Sequence, residues 1–454
     1  MESISALLAR PVAVLGGGVT GKAIITFLEK YQTEFDLFDD NESGALSPTD
    51  EVNPEHYGLA IVSPGWRQDH PLIRRLTSSG VRIISEIDLA WIYKEEIAPT
   101  QKWIALTGTN GKTTTIMMVE SILRAAGKSA IACGNVGEPV LSALMASKPH
   151  EILALELSSF QIAWSHLPRF EACAILNIAE DHIDWHGSFD SYASEKMRLL
   201  SMSDCAILNA DDVEISLRSS AFAGEKIFYS LETPAPGELG LVEELLIDRA
   251  FSSDSTSAEV IAELIDITPQ VPHNVSNALA AAGLGLALGI THSHIKAGLA
   301  AFRVDHHRLE LVLDLDGISW VNDSKATNPH AAIAGILSHT SVIWIAGGLA
   351  KGASMTKLIQ RAAPRLKAVI LIGKDRELIA DALANYAPKI PIHRCDGDGT
   401  AAGLMNEVIQ KAASLASSGD AVLLAPACAS MDQFNSYAHR GELFASSVKE
   451  LISS

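Results

Sequence analysis

Eight short apolar runs recur along the chain and leave few folds open to it. They are VAVLGGG, WIALTG, ILALELSS, ACAILNI, CAILNA, VIWIAGG, AVILIG and AVLLAPA, and each closes on glycine or a polar stretch. Hydrophobicity within a run is continuous rather than alternating. That describes strands buried on both faces, hence parallel sheets covered by helices. Helical patterns lie between the runs. After TGTNGK, for example, Ile116, Val119, Leu123 and Ala126 share one face, and Gly127 stops the helix. Strand and helix alternating in this way predict an α/β protein.

A length of 454 residues suggests about three domains, at roughly 150 residues each. The polar, proline-bearing EEIAPTQ (95–101) marks one break, and Ala301–Asp305, after the Ala- and Gly-rich helix that follows Asn277, marks another. The expected blocks are 1–98, 99–303 and 304–454. The Ser-rich FSSDSTSAE (251–259) reads as a surface loop inside the middle block.

Thirty-five basic against 54 acidic side chains leave a net charge of −19, which argues against nucleic-acid or anionic-membrane partners. The five cysteines, Cys133, Cys173, Cys205, Cys395 and Cys428, show no C-x-x-C spacing and read as buried thiols of a reducing compartment. No basic segment leads into an apolar run at the N-terminus, and the longest apolar run, Ala278 to Ile290, is too short to span a bilayer. A cytoplasmic protein without membrane insertion is expected.

Two glycine loops carry chemistry. In VAVLGGGVTG, Gly16, Gly18 and Gly21 fit G-x-G-x-x-G after a strand, and Asp39 or Asp40 ends the next strand-like run, FDLFDD. This pattern suits NAD, a UDP-sugar or a plain tight turn. The second loop, Thr107-Gly108-Thr109-Asn110-Gly111-Lys112-Thr113-Thr114, is a shortened form of G-x-x-x-x-G-K-[ST], with Leu106 where the first glycine would stand. Its mechanics survive: backbone amides and a helix N-terminus face an anion, Lys112 reaches outer phosphate oxygens, and a threonine hydroxyl can bind Mg²⁺.

Downstream, Glu156 ends one apolar run, and Glu180, Asp181 and His182 follow another. Carboxylates at neighbouring strand ends are where an α/β nucleotide site holds magnesium. NDSKATN (322–328), GGLAK (347–351) and PACASMDQFNSYAHRG (426–441) crowd hydroxyls and lysines at strand ends, as an anionic small-molecule pocket would.

TGTNGKTT, LELSSFQ, NIAEDHID, PHNVSNALAA, HHRLE, NDSKATN and PACASMDQF, in this order and spacing, resemble the Mur ligases over essentially the whole chain. The resemblance implies three domains: a Rossmann-like UDP-binding domain, a central P-loop ATPase domain with a mainly parallel sheet, and a Rossmann-like amino-acid-binding domain. LELSSFQ, NDSKATN and PACASMDQF point to the member that joins D-glutamate to UDP-N-acetylmuramoyl-L-alanine in peptidoglycan precursor synthesis. ATP would phosphorylate the substrate carboxylate, and the D-glutamate amine would attack the acyl phosphate. A free carboxylate has a poor leaving group, and phosphorylation corrects that at the price of gathering anions, so dense positive charge is needed.

The same resemblance implies roles. Lys112 would stabilise the γ-phosphoryl group, Thr113 and Glu156 would hold a first Mg²⁺, and His182 a second. Lys196, 14 residues after His182, matches a lysine carbamylated by CO₂ that ligates that second metal. Gly108 through Thr114 would surround the phosphates, and His273, Asn274 and Asn277 would lie on the adenine side. Arg308 and Asp323 would contact ATP from the third block after domain closure. Lys325, Thr327, Lys351, Ser430 and Tyr437 would line the D-glutamate pocket. Val19, Thr20 and Asp39 match the uracil end, with Ser63, Pro64, Gly65 and Asn135 nearer the diphosphate and sugar. A monomer is expected.

Two departures concern loop shape: Val271-Pro272 replaces an expected glycine before PHN, and GGLAK lacks an acid after its glycines. Rival readings are a family member for another amino acid, a folylpolyglutamate synthetase, a nicotinamide dehydrogenase built on GGGVTG, and a nucleotide sensor without chemistry.

Overall fold

Val12 to Leu15 are fully buried, as a strand covered on both faces requires. In the computed structural model, which describes residues 3–40, 42, 44–49, 52–251, 257–303 and 307–451, they form the central strand of the first of three sheets. The Ser-rich stretch at 252–256 and the second expected break at 304–305, with His306 of HHRLE, lie outside the described residues.

The first sheet runs β2-β1-β3-β4, all parallel, from β1 (Val12–Leu15), β2 (Phe35–Phe38), β3 (Leu59–Val62) and β4 (Arg82–Ser85). The second has nine strands in the order β13-β12-β11-β10-β9-β8-β5-β7-β6. These are β5 (Lys102–Thr107), β6 (Ala130–Gly134), β7 (Ile152–Glu156), β8 (Phe170–Ile175), β9 (Ser203–Asn209), β10 (Glu225–Tyr229), β11 (Glu238–Val242), β12 (Leu245–Asp248) and β13 (Glu259–Glu263). It is parallel from β6 through β11 and antiparallel at the β11-β12-β13 edge.

The third sheet runs β14-β15-β19-β16-β17-β18, from β14 (Glu310–Leu315), β15 (Ile318–Asn322), β16 (Val342–Gly347), β17 (Leu366–Ile372), β18 (Ile392–Arg394) and β19 (Ala421–Leu424). Only β14 pairs antiparallel. Separate apolar clusters cover its two faces, one around Trp344 and Leu371, the other around Trp320 and Phe444. Each of the eight apolar runs is a strand, β1, β5, β7, β8, β9, β16, β17 and β19, and all eight lie in parallel pairings. The α/β class with mainly parallel sheets is the observed one.

The chain divides into two compact units. One comprises Met1–Ile178 and Ala193–Arg303, with the first two sheets; the other comprises Ala179–Tyr192 and Val304–Ser454, with the third. The segment 179–192, inside the expected middle block, clusters with the C-terminal sheet.

The helix after the second glycine loop spans Lys112–Ala125 and buries Ile116, Val119 and Leu123. Ala126 is its C-cap rather than a core position, and Gly127, at φ 72°, ends it in the left-handed conformation open to glycine. Among the described residues no helix is long and apolar enough to cross a membrane. All five cysteines are buried and free.

Candidate active site

The shortened loop sits between the end of β5 and the helix Lys112–Ala125. β5 lies at the point where the strand order reverses, with β7 and β6 on one side and β8 and β9 on the other. Ligands of open α/β sheets bind outside strand ends at such a point. Gly111 has φ 82°, and a Cβ there would meet Asn277 Oδ1 at 2.5 Å, so glycine is required twice over. The first turn of the helix leaves backbone amides without intrahelical acceptors, aimed where an anion would sit.

Two lysines converge on the loop. Lys112 Nζ donates to the carbonyls of Gly108 (2.8 Å) and Thr109 (3.0 Å). Lys196, only 2% exposed, donates from Nζ to the same Gly108 carbonyl at 2.9 Å and to Thr107 Oγ1 at 3.2 Å.

Glu156, at the end of β7, is 2% exposed; Oε1 accepts from Asn135 Nδ2 at 2.8 Å, while Oε2 is buried with no hydrogen-bond partner. An orphaned buried carboxylate oxygen beside a phosphate loop fits a hard divalent cation, which prefers a few carboxylates, waters and substrate oxygens. Among the described residues no three His, Cys, Asp or Glu side chains form a ready-made metal cluster. A metal here would therefore be completed by hydroxyl, phosphate or water.

Asn274 and Asn277 are buried on the helix Pro272–Ala287. Val271 is its N-cap and Pro272 its first residue, a position proline favours, so the missing glycine leaves the helix start intact. Asn274 Nδ2 donates to Pro269 O at 3.0 Å and holds the approach to the helix.

In the first sheet, Asp39 follows β2 and accepts from the Gly17 amide at 2.7 Å, and Ser63 after β3 donates to Gly16 O at 3.2 Å. Val19 and Thr20 open the helix Val19–Lys30. The order β2-β1-β3 thus gathers the glycine loop, Asp39 and Ser63 at one edge. Asn135, grouped with them from the sequence, follows β6, and its Nδ2 donates to Glu156 Oε1.

The third sheet gathers three motifs because β19, last in the chain, inserts between β15 and β16. NDSKATN, PACAS and GGLAK leave neighbouring strand ends. Leu349 and Ala429 exchange backbone bonds at 2.9 Å each, and Gly348, at φ 131°, has no room for a Cβ against Ala429 O. Within GGLAK, the Ala350 amide donates to Asp375 Oδ2 at 2.8 Å.

Lys325 Nζ lies 5.4 Å from the Tyr437 ring centre, a cation–π contact between two expected pocket residues. Beneath them Arg440, 0% exposed, donates to Ser324 Oγ, Ser324 O and Cys428 O at 2.9, 2.9 and 3.3 Å, and burial lowers its pKa to about 10. Thr327 follows Lys325 in the same loop, and Ser430 is buried. Asp323 follows β15, where burial pushes its carboxyl up to about 7 against the opposing pull of Arg308 and the Leu309 amide.

Lys351, at a left-handed φ of 51°, pairs with Asp181 Oδ1 at 2.9 Å and reaches His182 Nε2 at 3.5 Å. Two residues assigned to different tasks thus meet through Asp181, which the sequence marked only as a neighbour of His182.

Lysine, carboxylate and helix N-terminus so arranged are those of an α/β protein equipped to receive a polyphosphate. A family model described as Mur ligase middle domain matches residues 106–285, and one described as Mur ligase, glutamate ligase domain matches residues 307–428. The UDP-N-acetylmuramoylalanine--D-glutamate ligase of Thermobifida fusca is 43% identical to this chain over 98% of it and 99% of the relative. That of Streptomyces coelicolor is 44% identical over 88% of this chain and 86% of the relative. The MurF ligase of Thermotoga maritima, solved in complex with ADP, shares the fold at a TM-score of 0.58 and 17% identity, over 99% of this chain and 100% of that one. The chain belongs to the Mur ligase family.

Proposed function

We propose that this protein is an ATP-dependent amide ligase that adds D-glutamate to UDP-N-acetylmuramoyl-L-alanine in the cytoplasm, forming ADP and phosphate. The observation that carries the reading is Lys112 Nζ on the Gly108 and Thr109 carbonyls of the loop, beside the orphaned carboxylate oxygen of Glu156. Full-length identity to ligases of that name supplies the substrates.

The γ-phosphoryl group of ATP passes to the substrate carboxylate, and ADP leaves. The D-glutamate amine then attacks the acyl carbon, loses a proton, and expels phosphate. Lys112 and the amides at the helix N-terminus hold the transferring group in place, where charge spreads over its oxygens. Thr113 and Glu156 would hold a magnesium ion, with Asn135 fixing the Glu156 carboxylate. When bound, that ion neutralises charge on the phosphate oxygens. Lys196 is the residue to carry a CO₂-derived carbamate, which requires its neutral amine, and His182 would supply a nitrogen ligand for a second magnesium. Lys325, Thr327, Lys351, Ser430 and Tyr437 would receive D-glutamate, whose two carboxylates match two lysines. Val19, Thr20, Asp39, Ser63, Gly65 and Asn135 would meet the UDP substrate.

The test is an ADP-release assay across a panel of amino acids. ADP should form only with UDP-N-acetylmuramoyl-L-alanine and D-glutamate together, and glycine or L-lysine should not substitute. ADP release independent of the amino acid, or best with another one, would overturn the assignment.

A further inference from the structure

A phosphate loop works only if its backbone keeps one shape. Here Leu106 stands where the first glycine of a full-length loop would be, and Thr109 and Asn110 must bridge from β5 to Gly111. The bonds that hold them come from another strand. The β5–β8 ladder ends at Thr107 and Ile175, yet pairing continues: the Leu176 amide donates to Thr107 O at 3.0 Å, and the Thr109 amide to Asn177 O at 2.9 Å. One residue further on, the Asn177 side chain takes over. Its Oδ1 accepts from the Asn110 amide at 2.8 Å, and its Nδ2 donates to the Asn110 carbonyl at 3.1 Å. A single carboxamide thus bonds both backbone groups of Asn110, as a neighbouring strand would.

Asn177 is itself held from both sides. Asn209 Nδ2 donates to Leu176 O at 2.9 Å, and the Ile178 amide donates to Asp212 Oδ2 at 2.9 Å. Gly108 closes the packing, since a Cβ there would stand 3.0 Å from Leu176 Cβ and 3.4 Å from the Asn177 amide. With the Thr109 and Asn110 amides turned toward Asn177, the Gly108 and Thr109 carbonyls face Lys112 Nζ.

We infer that Asn177 is the positioning residue of the phosphate loop, its carboxamide replacing the turn that a full-length loop would build with its first glycine. The inference rests on the nucleotide-site reading above and adds a residue to it. Asn177 acts through the loop backbone and, through that, on where Lys112 is held.

The test is equilibrium titration of the full-length protein with Mg·ADP, without other substrates, for wild type, Asn177→Ala and Asn177→Asp. Losing two backbone bonds should weaken ADP binding about tenfold or more in Asn177→Ala. The KM for D-glutamate and the melting temperature should stay near wild type, a split that general loosening of the fold would not produce. Asn177→Asp keeps the size and the acceptor but turns an oxygen toward the Asn110 carbonyl and adds charge, so it should bind at least as weakly. Wild-type ADP affinity in either variant overturns the inference. Absence of ADP binding by the wild type sinks the nucleotide-site reading, and this inference with it.

Discussion

Glu86 opens the helix Glu86–Ile97 at 3% exposure, with Oε1 accepting from the Leu141 amide. Burial pushes its carboxyl up to about 7, against the opposing pull of that amide. Asp323 is raised to the same range by the same cause. Both hold their proton more tightly folded than unfolded. Their contribution to stability is therefore full below the ordinary carboxylate range and is lost as pH rises through about 7. The sequence singles out Asn135 and Lys196 but not their bonds to Glu156 and Gly108; it does not single out Glu86, because an acid at a helix start looks like an ordinary solvated N-terminal charge. Glu86→Gln keeps the acceptor for Leu141 and cannot ionise. Between about pH 5 and about pH 8 the variant should gain on wild type by the order of 3 kcal/mol, read from denaturant midpoints at each pH. Parallel pH profiles for the two proteins would refute a buried, raised carboxyl.

Elements were legible in proportion to how continuously they are buried. The eight apolar runs became central strands, whereas β14 carries no fully buried residue and β13 only two, so neither forms a run. These lie at antiparallel edges, where one face meets solvent and the local signal fades. Loops were legible by residue type but not by partner: nothing in GGLAK says that its Ala350 amide bonds Asp375, in the loop after β17. The Leu349–Ala429 pairing depends on Gly348 at φ 131°. Gly348→Ala should lower stability by about 1–3 kcal/mol, the usual scale for a strained backbone position. It should also raise the KM for D-glutamate more than that for ATP. Equal effects on both constants would show that this turn does not serve the amino-acid pocket.

Across the whole chain, one compact unit encloses two sheets and the other a single sheet. Units with separate cores need not unfold together. Scanning calorimetry of the full chain should resolve more than one transition, and a single peak with equal calorimetric and van't Hoff enthalpies would contradict that. Composition and run pattern were enough for the α/β class, and the glycine, lysine and hydroxyl spacing of TGTNGKTT was enough to propose a phosphate loop, because both follow from side-chain properties local to the chain. Which strand ends meet was out of reach of such reasoning. Strands pair through backbone groups common to every residue, so nothing local says that β19 slides between β15 and β16, or that β8 lies beside β5. That ordering comes from packing the whole core at once. It brings Asn177 to the loop, and it sets the end of NDSKATN's strand one place from PACAS and two from GGLAK.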